Sequence, residues 1–427
     1  GIHTDEGEIL TLKDRAIHHL TTGLSTVEIA AKNAEKLNIE FKKFFNNSNL
    51  TYKSYVLKND NQDKIDRLKT LLDKHEINYR NATNGIVKGY NYSNQKEEKI
   101  NISKNDLVIH TDQPKGKMVK VLFEPNAKLA DSLTYDITAW SLPYAHGINA
   151  IASKTKVNAA TITKSKSVNN VIDKNAYAYI SKWNSIEDAT FLADILKNDI
   201  VPRFTQKAFS TNGKTYKEGT LIILRNDNRN KDFDIKLMKI SNRNMRQLTA
   251  VSTGFSESGV DFGSASVKPI NKQKIAVISG KATSSLSFGE VWHFFETQLQ
   301  YPITNINSNN FPYIELSKYD VIIMPNGYYN AVLNKATLEK LKKWTRSGGT
   351  LIAIGNALNS FANKDGFSLK KKKDDVKKDS NNLTPFADRE RKEVANLITG
   401  SIFKSTLDTT HPLAFGYNKE YFSLKLG

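Results

Sequence analysis

Cysteine is absent from the chain. Its absence removes disulfides, thiolate metal sites and every mechanism with a cysteine nucleophile. It also leaves the redox compartment unmarked. No apolar run approaches the ~18 residues that a membrane span requires. Gly1 is not an initiator Met, and no basic-then-apolar leader follows it. The chain reads as a fragment, so the missing leader carries no message about localisation. A Gly-x-Ser-x-Gly elbow is missing as well. So are the Gly-x-x-x-x-Gly-Lys-Ser/Thr phosphate loop and a strand followed by Gly-x-Gly-x-x-Gly. No repeat of solenoid period is found.

What remains is a globular composition. The 427 residues suggest about three domains at roughly 150 residues each. A hydrophobic content of 39% with 25% charged residues allows large cores and excludes a disordered chain. Lys and Arg number 62 against 44 Asp and Glu, a net charge of +18. Such a surplus can attract nucleic acid or anionic surfaces. The lysines are scattered and no nucleic-acid motif accompanies them. A lysine-rich surface is therefore the preferred reading, and nucleic acid is not expected as a partner. The mixed-charge run 370–378 reads as a solvated loop.

Periodicity organises the rest. Residues 11–45 read as one long helix, with Ile17, Leu20, Leu24, Val27, Ala34, Leu37 and Phe41 at helical spacing. Thr11 and Asp14 have capping-box spacing, and the Asn-rich stretch 46–49 stops the helix. An isolated helix is marginal in water. Its apolar stripe is expected to pack on residues 51–125 or on a second copy. Residues 51–125 read as a small α/β unit, with strands at 52–57, 77–80, 107–109 and 119–123. A helix is expected at 65–74 and a loop at 92–99. A turn-rich connection follows at 126–165, and 153–170 reads as a linker or exposed strand. Residues 171–270 form a second α/β unit. Its strands fall at 176–180, 201–204, 220–224 and 248–251, its helices at 185–197 and 233–241, and a glycine-spaced loop at 254–263.

Residues 273–365 give the clearest pattern. Apolar strands at 274–279, 302–306, 320–324 and 350–354 alternate with helices at 288–299 and 334–347. Buried strands in such a series predict a parallel sheet with helices on both faces. Ligands of such sheets sit beyond the carboxyl ends of the strands. The expected fold class is α/β, built from several modules: 1–50, 51–150, 151–272 and 273–427.

Chemistry is sparse. A hydrolytic zinc site needs three protein ligands and an open position. Among the eight histidines, His293 opens a His-x-x-Glu spacing with Glu296 inside a helical pattern. His411 is the candidate third ligand. Positions i and i+3 share a helix face, but Phe294 and Phe295 between the pair make the segment read as a packed helix. His18 and His19 are adjacent and cannot face one metal. A nucleophile elbow is expected after strand 350–354, where the residue is Asn356. An amide does not ionise and is no nucleophile at neutral pH, so Asn356 marks a degenerate elbow. The glycines from Gly254 to Gly263 read as a turn, with a binding loop as the alternative. Trp140, Tyr144 and His146, with Glu290 and Trp292, are aromatics and polar groups suited to line a groove for a peptide or sugar. Asp261 joins them as a candidate acid group. Core packing is the other reading of the same residues. No catalytic residue, metal ligand or cofactor is assigned to this chain.

With these residues in view, two resemblances follow. The segment from Gly7-Glu8-Ile9-Leu10-Thr11 through His18-His19-Leu20 to Thr26 resembles the last helix of bacterial zinc carboxypeptidases. Thr111–Pro114, Leu122–Pro125, Leu133–Pro143, Gly259–Ser264, 288–292 and Thr410–Leu413 resemble the C-terminal extension of a secreted subgroup found in Bacteroidetes-type bacteria. Residues 273–427 resemble a class I glutamine amidotransferase-like domain, which implies a flavodoxin-like parallel sheet. That family's cysteine nucleophile would fall at Asn356, so only its fold carries over. The carboxypeptidase family places its zinc ligands before the helix seen here, and no active-site residue transfers. The resemblance thus implies a non-catalytic accessory region whose partner is a peptidase domain. Zinc is expected in that domain, peptide or protein is the substrate class, and the location is periplasmic or extracellular. Two alternatives remain: an independent hydrolase using Asp261, Glu290 or His293, and a basic module for acidic glycan or nucleic acid.

Overall fold

The computed structural model describes residues 1–126, 141–162, 167–372, 384–395 and 399–426. The chain is of the α/β class and divides into two compact units. The first comprises 1–164 with 393–403 and 422–427, and the second comprises 165–392 with 404–421.

The first unit is built on a seven-stranded antiparallel sheet. Its order is Lys96–Ile102, Gly85–Asn91, Ala150–Ser153, Ser54–Leu57, Leu107–His110, Arg80–Ala82 and Ala159–Ala160. Side chains alternate across a strand, and the central strand uses both faces. Tyr55 and Leu57 join Ile65, Leu68 and Leu72 of the helix Gln62–Lys74 in one core. Val56, opposite Val108 and Ile151, joins a smaller cluster on the other face.

The structure corrects the sequence reading of this unit in detail. Residues 119–123 are not a strand but lie in the helix Gly116–Phe123. Val119 and Phe123 are four apart, share one helix face and are fully buried. The loop expected at 92–99 shortens to a turn at 92–95, and Lys96–Ile102 pairs with Gly85–Asn91 as an edge hairpin. Within 153–170, read as a linker or exposed strand, Ala159–Ala160 joins the sheet as a short edge strand, and 163–166 lie outside the described residues.

The N-terminal segment forms two helices, Leu12–Lys32 and Ala34–Phe44, parted at Asn33. The capping box is present, with the Thr11 hydroxyl accepting from the Asp14 N–H and the Asp14 carboxylate accepting from the Thr11 N–H. No residue of either helix is buried. The stripe does not pack on residues 51–125: Leu20 is 63% exposed, Leu24 62% and Phe41 65%.

The second unit holds three sheets. An antiparallel sheet runs in the order Thr249–Val251, Ala178–Ser181, Leu221–Leu224, Arg203–Thr205, Val267–Pro269. The helices Ile186–Lys197 and Phe233–Arg243 supply Phe191, Ile195, Leu237 and Met238 to a core with Tyr179 and Ile223. A salt bridge is buried here, with the Arg246 Nη1 at 2.8 Å from the Asp188 Oδ1. The second carboxylate oxygen accepts from the Asn184 and Ser185 N–H groups, so the ionised group is satisfied. A three-stranded ribbon joins Lys214–Tyr216, Phe209–Thr211 and Ser258–Gly259.

The third sheet is parallel, in the order Thr304–Asn307, Ile275–Ser279, Val321–Met324, Thr350–Ala353. Ala276, Ile278, Ile322 and Met324 meet Leu341 and Trp344 of the helix Lys335–Arg346 on one face. On the other face, Ile275 packs with Phe295 and Leu299 from the helical segment after Ser285. Helices thus lie on both faces, but the second cover fades toward the edge. Along one row, Val277 and Ile323 are buried while Ile352 is 43% exposed.

Candidate functional site

In the parallel sheet, strand order reverses between Ile275–Ser279 and Val321–Met324, where α/β sheets place their ligands. The loops following those strands are tied to each other. The Ser284 N–H donates to the Asn326 carbonyl at 2.8 Å, and the Tyr328 N–H donates to the Ala282 carbonyl at 2.8 Å. Thr283 and Gly327 form a single antiparallel bridge between them. Beneath, the fully buried Tyr329 donates its hydroxyl to the Pro325 carbonyl at 2.8 Å and lies 2.9 Å from the Thr283 hydroxyl. Burial pushes the Tyr329 phenol above its ordinary value.

The fourth strand leads into the expected elbow, but Gly355–Ser360 is a 3-10 turn rather than an α-helix. Gly355 has φ +58°, and a Cβ there would lie 2.8 Å from the Asn326 Oδ1. Conformation and space both require glycine. The same Asn326 oxygen accepts the Asn356 N–H at 2.8 Å. The Asn356 carboxamide oxygen accepts from the Asn359 Nδ2 at 3.4 Å. The elbow is therefore held by neutral amides, and no acid or base is hydrogen-bonded to it among the described residues.

The groove residues are dispersed through the fold. Trp140 lies outside the described residues. His146 ends the short helix Leu142–His146 of the first unit. Burial, then Arg67 and Lys64, lowers its pKa below the ordinary histidine value. Asp261, Glu290 and Trp292 belong to the second unit. The Asp261 carboxylate accepts from the Ser256 N–H at 2.8 Å and closes the glycine-spaced loop locally. Trp292 stacks on Phe288 at 5.7 Å, and Glu290 is exposed on the same helix. No hydrogen bond, ion pair or ring contact joins Asp261 to Glu290 or Trp292 among the described residues.

The structure does not bring the zinc candidates His293, Glu296 and His411 together as one ligand group. His293 and Glu296 are exposed. The His411 Nδ1 accepts from the Leu413 N–H at 3.2 Å, capping the turn Pro412–Ala414. No group of three His, Asp or Glu side chains stands ready for an ion among the described residues. No described helix is long and apolar enough to cross a membrane.

One feature escaped sequence reasoning. A cavity of about 630 Å³ opens beside Tyr177, Arg225, Arg229, Lys231 and Ser252. Its only sequence signal is the basic, amide-rich run Arg225-Asn226-Asp227-Asn228-Arg229-Asn230-Lys231 between a buried strand and a helix. No protein-family model, curated protein or solved structure matches this chain.

Proposed function

We propose that this chain is a non-catalytic accessory region of a secreted zinc metallocarboxypeptidase of the Bacteroidetes type. The peptidase domain would be its principal partner and would release C-terminal residues from peptides or proteins. Residues 273–427 would fold as a class I glutamine amidotransferase-like domain that has lost its nucleophile. The parallel order and the Asn356 elbow support that assignment.

The observation that carries the reading is the helix pair 12–44. It is capped and amphipathic, yet none of its side chains is buried. Contiguous apolar surface of this kind marks an interaction site. The resemblance assigns the first of these helices to the peptidase domain, whose body would cover the stripe. The amide-held elbow supports a scaffold role, since Asn356 supplies no nucleophile.

The test is to express the chain together with whatever coding sequence precedes Gly1 in its gene. The extended protein is expected to hold zinc, release C-terminal residues and protect amides 12–44 from hydrogen exchange. The 427-residue chain is expected to do none of these. Peptidase turnover by the chain itself, or an extended protein with neither zinc nor activity, overturns the proposal.

A further inference from the structure

We propose that the cavity beside Arg229 and Lys231 binds an anionic sugar, through a sulfate or carboxylate carried on the ring. The site lies wholly within the second unit and does not depend on the peptidase reading.

Topology provides the setting. Leu221–Leu224 and Thr249–Val251 each pair antiparallel with Ala178–Ser181, so they run parallel to each other. The helix Phe233–Arg243 connects them. Both strands end, and the helix begins, at the edge where the cavity opens. Phe233 and Asp234 of the first helical turn line it. The helix dipole places partial positive charge at that end. Asp232, at the N-cap, makes no side-chain capping bond.

Two cations are available at this edge. Arg225 is committed, donating to the Ala176 and Asp173 carbonyls and pairing with Asp234. That pair also offsets the one carboxylate of the lining. Arg229 and Lys231 are exposed, and among the described residues neither makes an ion pair. Arg229 is held in place by Asn226, with its Nε donating to the carbonyl at 3.1 Å and its Nη2 to the Oδ1 at 2.8 Å. A guanidinium has five donors, so three remain for a ligand. Their planar fork suits a sulfate or carboxylate.

Size and the remaining lining select a sugar over a bare ion. About 630 Å³ is several times the space of an inorganic sulfate. Carboxamides of Asn175 and Asn230 and the Ser252 hydroxyl match ring hydroxyls as donors and acceptors. Tyr177 is 41% exposed and its ring lies against Gly254, where an added Cβ would stand 2.7 Å from the Tyr177 Cε1. A braced aromatic of this kind offers an apolar face to a sugar ring.

Calorimetric titration of the whole chain at low salt tests the site. The ligands are a sulfated disaccharide, a uronate disaccharide, a neutral disaccharide, inorganic sulfate and an oligothymidylate. One or both charged disaccharides are expected to bind about tenfold or more tighter than the neutral one, and which does so identifies the anion. The paired variant Arg229→Ala/Lys231→Ala is expected to lose about tenfold for that ligand. Both side chains are exposed and outside any ion pair among the described residues, and the Arg229 hydrogen bonds to Asn226 lie at the surface, so its melting temperature should stay close to that of the parent. Arg229→Lys should restore only part of the affinity, because the fork is lost. The proposal is overturned if no charged sugar binds or if the neutral sugar binds equally. It is also overturned if inorganic sulfate or oligothymidylate matches the sugar, or if the paired variant keeps full affinity.

Discussion

Two strand-end regions of the second unit face opposite chemical fates. In the parallel sheet, the crevice between the first and third strands is strapped shut by the 282–284 and 326–328 loops. The Asn326 side chain occupies the elbow beside it. In the antiparallel sheet, the ends of Leu221–Leu224 and Thr249–Val251 stay open, with two unpaired cations beside a cavity. Topology alone would have placed the ligand at the first region. What lines each region decides the matter: the elbow is held by neutral amides with no acid or base bonded to it among the described residues, whereas a braced arginine leaves three cationic donors. The first unit repeats the contrast in its helices. Gln62–Lys74 buries Ile65, Leu68 and Leu72, while 12–44 buries nothing.

The strongest way to break this comparison is at the frame of the open region. Arg246 is 3% exposed and Asp188 fully buried, and their contact ties the helix Ile186–Lys197 to the turn that follows Phe233–Arg243. Arg246→Met leaves the Asp188 carboxylate buried without its cation, which costs about 3–5 kcal/mol. Urea unfolding is expected to show that loss. Hydrogen exchange should then quicken at Ala178–Ser181 and Leu221–Leu224 before Ile275–Ser279 and Val321–Met324. Equal loss of protection in all four strands would show that the two sheets share one cooperative frame.

Much of this frame was legible in the sequence. The runs Ile275–Ile278 and Val321–Met324 are uniformly apolar because a parallel strand covered on both faces excludes polar side chains, while the edge run Thr350–Ala353 is more exposed. The Thr11–Asp14 capping box could be read because its signal is local. Other features depend on context. Val119–Phe123 is short, β-branched and aromatic, and short apolar runs fit strand and helix alike. Its packing against Tyr55 and Leu107 settles the choice. Lys96–Ile102 is an edge strand whose outward positions are Lys and Glu, the composition that protects edges from further pairing. Its hydrophobic signal is correspondingly faint. The turn after strand 350–353 is legible from Gly355, but its amide lock depends on Asn326, thirty residues away. The cationic cavity draws on three separate segments, 175–177, 225–234 and 252, and no spacing rule unites them.

The two helices of the first unit invite a smaller test. Asn61 caps the packed helix, its Oδ1 accepting from the Asp63 and Lys64 N–H groups. Thr11 caps the open one. Losing either cap costs about 1 kcal/mol locally. Asn61→Ala should lower the global unfolding free energy of the unit by that amount, because its helix is part of the core. Thr11→Ala should leave global unfolding unchanged and speed amide exchange only within 12–32. A global loss from Thr11→Ala would mean that the open helix contributes to the fold through a contact formed in solution, such as a second copy seated on its stripe.

The smallest expected effect comes from placing a nucleophile at the elbow. Asn356→Cys puts a thiol at the position where the proposed amidotransferase-like fold would carry one. A reactive thiol needs a cation, a helix amino end or a base beside it to lower its pKa. Here the neighbours are the Asn326 and Asn359 carboxamides, and the following segment is a six-residue 3-10 turn. The rate of alkylation by iodoacetamide against pH should therefore follow an ordinary thiol, with a midpoint of roughly 8.5. Glutamine hydrolysis should stay at background. A midpoint displaced below ~7 would place a base or cation within reach of the elbow, and the closed region would then differ from an active one by a single side chain.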